Sequence, residues 1–145
     1  MTDEQKALSR RAVACKGFRW MPGMRTVEVL QAPPWTLPLW DEAIVLSAHE
    51  GDPVRVCTVL GKVRELHPLA TPCLTDPATL GCLLALVREA WGVTLNENGI
   101  RWMTLQSGPG GSTLVIERVE GGGERRVFTG TCDAVVLVAA LESAP

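Results

Sequence analysis

Tyrosine is missing from this chain, and phenylalanine and histidine occur only twice each. The two histidines, His49 and His67, stand apart and beside no nucleophile motif, so no Ser, His and acid arrangement is recognisable. Paired carboxylates and an activated cysteine are missing as well, and the sequence points away from an enzyme. The five cysteines (Cys15, Cys57, Cys73, Cys82 and Cys132) are scattered and never form C-x-x-C. A zinc site needs closely spaced ligands, so neither a metal nor a cofactor is expected. Cys15, Cys82 and Cys132 fall in or beside helical apolar patterns, which predicts small buried thiols in a reducing cytosol.

An excess of charge of one sign is also missing: 14 Lys and Arg stand against 16 Asp and Glu, a formal net charge of −2. That gives no sign of the broad basic surface of a duplex nucleic-acid binder, although Arg10, Arg11 and Lys16, and again Arg125 and Arg126, form local basic clusters. No run approaches the roughly eighteen apolar residues of a membrane helix, and the opening T-D-E-Q-K holds no apolar signal segment. The expectation is a cytoplasmic protein.

What is present suits one globular α+β domain over 1–145, with 46 % hydrophobic and 21 % charged residues. Its abundant aromatic is tryptophan, with five copies. Two of these belong to a phrase that occurs twice, Gly17-Phe18-Arg19-Trp20-Met21 and Gly99-Ile100-Arg101-Trp102-Met103. Each copy sets a guanidinium beside an indole. That pair can grip a flat anionic ligand, or it can be core packing with the arginine turned to water.

Local signals order the rest. Residues 2–16 read as a helix, with Thr2 and Gln5 at capping-box spacing, Gly17 as the stop and Leu8, Ala12 and Cys15 as its apolar stripe. Pro22-Gly23 marks a turn before a strand at 26–30. The proline-rich 32–40 segment reads as an extended loop pinned by Trp35 and Trp40. Residues 43–48 read as a buried strand and 54–60 as its pair, with 61–75 as loop. Asp76 caps and Pro77 opens a helix running to Trp91 and ending at Gly92. It is apolar nearly all round, and Gly81 and Ala85 would admit a close neighbour. Three strands near 100–106, 112–119 and 124–129 read as an antiparallel meander, and Thr131 caps a last helix with Ala134, Leu137, Val138 and Leu141 on one face.

The order is α-β-β-β-α-β-β-β-α. It predicts antiparallel sheet packed against a central buried helix and two terminal helices, with the repeated phrase hinting at a degenerate duplication. Ser107-Gly108-Pro109-Gly110-Gly111-Ser112 lacks the lysine and following helix of a phosphate loop and reads as a hairpin turn.

Three segments carry a resemblance. They are Cys15-Lys16-Gly17-Phe18-Arg19-Trp20-Met21-Pro22-Gly23-Met24, the run from Leu74 to Gly92, and the closing Leu137-Val138-Ala139-Ala140-Leu141-Glu142. In these the chain resembles a family of small bacteriophage and prophage proteins that has no assigned activity. The resemblance implies a viral source and, with it, viral accessory functions.

Two functions are carried forward. The first is a phage-encoded, non-enzymatic binder of a small anionic, nucleotide-like ligand, such as a host immune signal that it would sequester. Trp20 and Trp102 would stack on the ring, and Arg19, Arg25 and Arg101 would meet phosphate. The second is a protein-interaction module acting on a host or phage protein through Trp35 and Trp40. A virion component is a further alternative. Open sheet edges and near-neutral charge favour a homodimer.

Overall fold

A computed structural model describes residues 2–30, 39–49, 51–93, 101–118 and 125–145, with the backbone alone at 29, 30, 39–41, 101 and 118. They form an α+β fold of three helices and two antiparallel sheets. The chain divides into two compact units, residues 1–13 with 19–82, and residues 14–18 with 83–145.

The first unit opens with α1 (Asp3–Ala14). Its capping box forms as the spacing predicts: Gln5 Oε1 accepts from Thr2 N at 2.8 Å and Thr2 Oγ1 accepts from Gln5 N at 3.2 Å. Ala12 is fully buried and Leu8 half-buried. Ser9 is buried too, because its hydroxyl donates to Pro72 O at 2.9 Å. The turn after α1 closes with Met24 N donating to Met21 O, while Gly23 takes φ 91° and Met24 plugs the core. Five strands follow: β1 (Arg25–Leu30), β2 (Leu39–Ser47), β3 (Arg55–Thr58), β4 (Val63–Glu65) and β5 (Thr71–Pro72). Their order is β4-β3-β2-β1-β5, all antiparallel.

Two expectations change here. Strand β2 begins at Leu39 and pairs Leu39 and Trp40 with Leu30 and Val29, so these two residues are strand rather than loop, and the rest of the proline-rich segment, 32–38, lies outside the described residues. The 61–75 stretch holds two short strands as well as loop, and β5 pairs on the free edge of β1. Proline is tolerated in β5 because it is an edge strand.

The inner face of this sheet carries Met24, Thr26, Glu28, Ala43, Val45, Val56 and Thr58, all buried. Glu28 on β1 receives Arg64 of β4 through two hydrogen bonds, Nη1 to Oε1 at 3.2 Å and Nη2 to Oε2 at 2.8 Å. In a flat sheet those strands would lie about 14 Å apart at the usual strand spacing. The contact therefore means that the sheet curls and brings β4 toward β1. His67 N also donates to Glu28 Oε1, at 3.4 Å, so the connection from β4 to β5 is held by the same carboxylate.

Helix α2 (Pro77–Ala90) spans the boundary in sequence between the two units. Asp76 caps it, its Oδ2 accepting from Thr79 N at 2.8 Å and from Thr79 Oγ1 at 2.9 Å. Thr79 Oγ1 in turn accepts from Arg25 N at 2.8 Å. Gly92 at φ 60° and the bond from Val93 N to Arg88 O end the helix in the expected glycine stop. Leu83, Leu86 and Val87 are buried, but Ala78, Gly81, Ala85 and Arg88 are exposed along one side. The helix is therefore covered on one face rather than nearly all round. Nothing lies within 4 Å of where a Gly81 Cβ would stand, so the close neighbour predicted at Gly81 is not there.

The second unit is the meander β6 (Arg101–Gly108), β7 (Gly111–Arg118) and β8 (Arg125–Gly130), followed by α3 (Asp133–Glu142). Pro109-Gly110 form the predicted hairpin turn between the paired Gly108 and Gly111. Gly111 sits at φ 116°, and a Cβ there would lie 2.5 Å from Gly130 O, so only glycine fits the approach of β7 to β8. Helix α3 lies against β7 and β8, with Ala134, Leu137, Val138 and Leu141 all buried as the spacing predicts. Its N-cap is Cys132, not Thr131, and the cap side chain makes no hydrogen bond. Asp133, in the first turn, instead holds the helix start to the hairpin. Its carboxylate accepts from the hydroxyls of Ser107 and Ser112, which flank the hairpin, and so ties the turn to the helix.

Those hydroxyls hold the Asp133 carboxyl below the usual carboxylate range, Ser107 contributing most and Ser112 next. A depressed folded pKa adds stability above the ordinary carboxylate value, and that stability fades as the pH falls through the lower folded one. Asp133→Asn is therefore expected to flatten the loss of unfolding free energy between about pH 5 and pH 2. Urea unfolding across that range checks it, and an unchanged slope would rule the interaction out as a source of acid sensitivity.

Candidate functional site

The side chains predicted to carry function are spread over both units. Arg19 and Trp20 lie in the irregular segment between α1 and β1, Arg19 exposed and Trp20 half-buried. Arg101 and Trp102 lie in β6, in the second unit. The Arg-Trp-Met of the phrase thus occupies two different local structures, coil at 19–21 and strand at 101–103, while Gly99 and Ile100 lie outside the described residues. The Arg101 side chain lies outside the described residues, as do the Trp40 side chain and Trp35 altogether. Arg25 lies in β1 with its guanidinium 3.9 Å from Glu42, both side chains about half-exposed.

Strand alternation and register sort the second sheet into two faces. Met103 and Leu105, Leu114 and Ile116, and Phe128 share the α3 face. Trp102, Thr104 and Gln106, then Thr113, Val115 and Glu117, then Arg125, Val127 and Thr129 share the other. All nine residues of that second face are exposed or half-exposed, and Trp102 is 60 % exposed. Across the strands Trp102 pairs with Glu117, and Glu117 pairs with Arg125. The row therefore runs indole, carboxylate, guanidinium. The next row holds Thr104, Val115 and Val127, and the one after it Gln106, Thr113 and Thr129. Trp91, by contrast, is a core residue, buried with its Nε1 donating to Ala140 O at 2.9 Å.

The first sheet has a different outer face. Ile44, Leu46, Val59 and Val63 are 43–70 % exposed there, and Leu60 is exposed in the turn after β3. Arg25, Glu42, Ile44, Leu46, Cys57 and Val59 border a shallow hollow of about 250 Å³. The sequence reads 43–48 as a buried strand because its apolar residues run without alternation. Only Ala43 and Val45 are buried, and Ile44 and Leu46 point outward. The signal was present as an unbroken apolar run, but the same run also marks a strand covered on both sides.

Cysteine chemistry recedes. Cys15 is buried, Cys57, Cys73 and Cys82 are half-buried, and Cys132 is exposed, so buried thiols were expected at more positions than have them. Burial, with the nearby Asp76 carboxylate, pushes the Cys82 thiol up, away from a reactive thiolate. Among the described residues no helix is long and apolar enough to cross a membrane. No family model, curated protein or solved structure matches this chain.

Proposed function

We propose that this protein is a non-enzymatic binder of a nucleotide unit, held on the open face of the β6-β7-β8 sheet. The observation that carries this reading is Trp102, 60 % exposed in one row with Glu117 and Arg125. An exposed indole offers a stacking surface for a base, typically worth about 1–3 kcal/mol. A carboxylate accepts from ribose hydroxyls, and a guanidinium grips phosphate in a fork. Base, sugar and phosphate follow one another in a nucleotide, and the three side chains follow one another in the same sequence. Two strand spacings, about 10 Å, separate the ends of the row. Thr104, next to Trp102 on the same face of β6, offers a hydroxyl to the edge of the base. In the phage setting that the sequence resemblance implies, such a protein would hold a host nucleotide signal.

Calorimetry against nucleoside monophosphates, cyclic dinucleotides, ADP-ribose and short single-stranded RNA separates free nucleotides from a strand. Trp102→Ala is expected to weaken binding at least about tenfold, by loss of one stacked base. Arg125→Ala should weaken it and flatten its salt dependence. Heats absent across the whole panel, with the protein folded, would remove the proposal.

A further inference from the structure

The outer face of the first sheet has no role in that reading, and its pattern is unusual for a surface. Register places Arg25, Ile44, Cys57 and Val63 in one row across β1 to β4. Leu46 lies beside Ile44 on β2, and Val59 and Leu60 follow β3 into its turn. Charges stand at both borders. Glu42 lies two residues from Ile44 along β2, and Arg55 lies two residues from Cys57 along β3. Those two strands are antiparallel and pair Ile44 with Cys57, so Glu42 and Arg55 are at opposite ends of the apolar strip.

We propose that this face is covered by a second copy of the chain, across a two-fold axis passing between Ile44 and Cys57. Such an interface uses the same patch twice, so residue i must fit residue j and j must fit i. This patch meets that condition. An axis across the strands lays Ile44 and Cys57 near their own counterparts. It sets Glu42 of each copy opposite Arg55 of the other, and two ion pairs form at once. The contact of Glu42 with Arg25 at 3.9 Å is loose and exposed, and it leaves the carboxylate able to turn. A net charge of −2 offers little repulsion between copies.

Sedimentation of the intact protein tests this, with a single chain weighing 15.6 kDa. The expected species is twice that mass, and Ile44→Asp should raise the dimer dissociation constant at least tenfold. Glu42→Arg should do the same, and adding Arg55→Glu to it should restore the dimer, which a variant that merely misfolds would not do. A short bis-maleimide should link two copies through Cys57, and Cys57→Ser should abolish the link while the other four cysteines remain. A monomer at all concentrations overturns the proposal. So does a dimer that tolerates Ile44→Asp and does not cross-link at Cys57.

Discussion

Glu28→Ala should loosen the first unit more than any other single change to a charged side chain. Glu28 is 3 % exposed, and its carboxylate gathers two bonds from Arg64 and one from His67 N. Removing one partner of a buried ion pair leaves the other charge uncompensated, typically at about 3–5 kcal/mol. The Arg64 side chain keeps 31 % exposure, and water can partly replace the carboxylate. The expected loss is therefore nearer the lower end, about 3 kcal/mol. Its location is as informative as its size. The carboxylate joins β1 to β4 and to the connection that leads into β5, so its loss should open the curl of the sheet. Hydrogen exchange should quicken over 25–30, 63–65 and 71–72 while α3 stays protected. Arg64→Leu combined with Glu28→Leu should recover much of the loss, since a well-packed apolar pair is often as stable as a buried ion pair. Unfolding within about 1 kcal/mol of wild type for Glu28→Ala would mean that the sheet closes without this pair.

Trp91→Ala is the second large effect, in the other unit. Trp91 is 8 % exposed and meets Phe128 edge-on, with ring centroids 6.0 Å apart and planes at 68°. Its Nε1 donates to Ala140 O, one of the last carbonyls of α3, which lack donors within their own helix. One side chain thus packs the end of α2 against the sheet and caps the end of α3. Truncation of a buried tryptophan to alanine costs about 3–5 kcal/mol. Trp91→Phe keeps most of the apolar volume and loses the hydrogen bond, so it should cost about 1–3 kcal/mol. Chemical denaturation of the two variants measures both, and equal losses would mean that the indole N–H contributes nothing.

These two residues also mark how far the sequence could be read. Trp91 stands out by its spacing in the apolar stripe of α2, and its burial follows from that. Glu28 does not stand out. It lies in a strand between Val27 and Val29, where alternation would suggest a solvated charge. Its partner is 36 residues away, and no local pattern announces the pairing. Trp102 illustrates a third case. Its pairing with arginine in the chain was conspicuous, but strand alternation turns neighbours to opposite faces. The residues that share its row, Glu117 and Arg125, come from other strands.

What the sequence determined by itself is what adjacent residues decide among themselves. The Thr2 and Gln5 box, the Asp76 cap, the Gly92 stop, the Pro109-Gly110 turn and the apolar stripe of α3 all depend on groups within a turn or two of one another. Local hydrogen bonding and backbone preference are enough to set them. Only the tertiary structure decided which faces are covered. An apolar run such as 43–46 suits a strand packed on both sides as well as one packed on a single side. Coverage depends on where distant elements arrive, and over 43–46 only the inner face is covered.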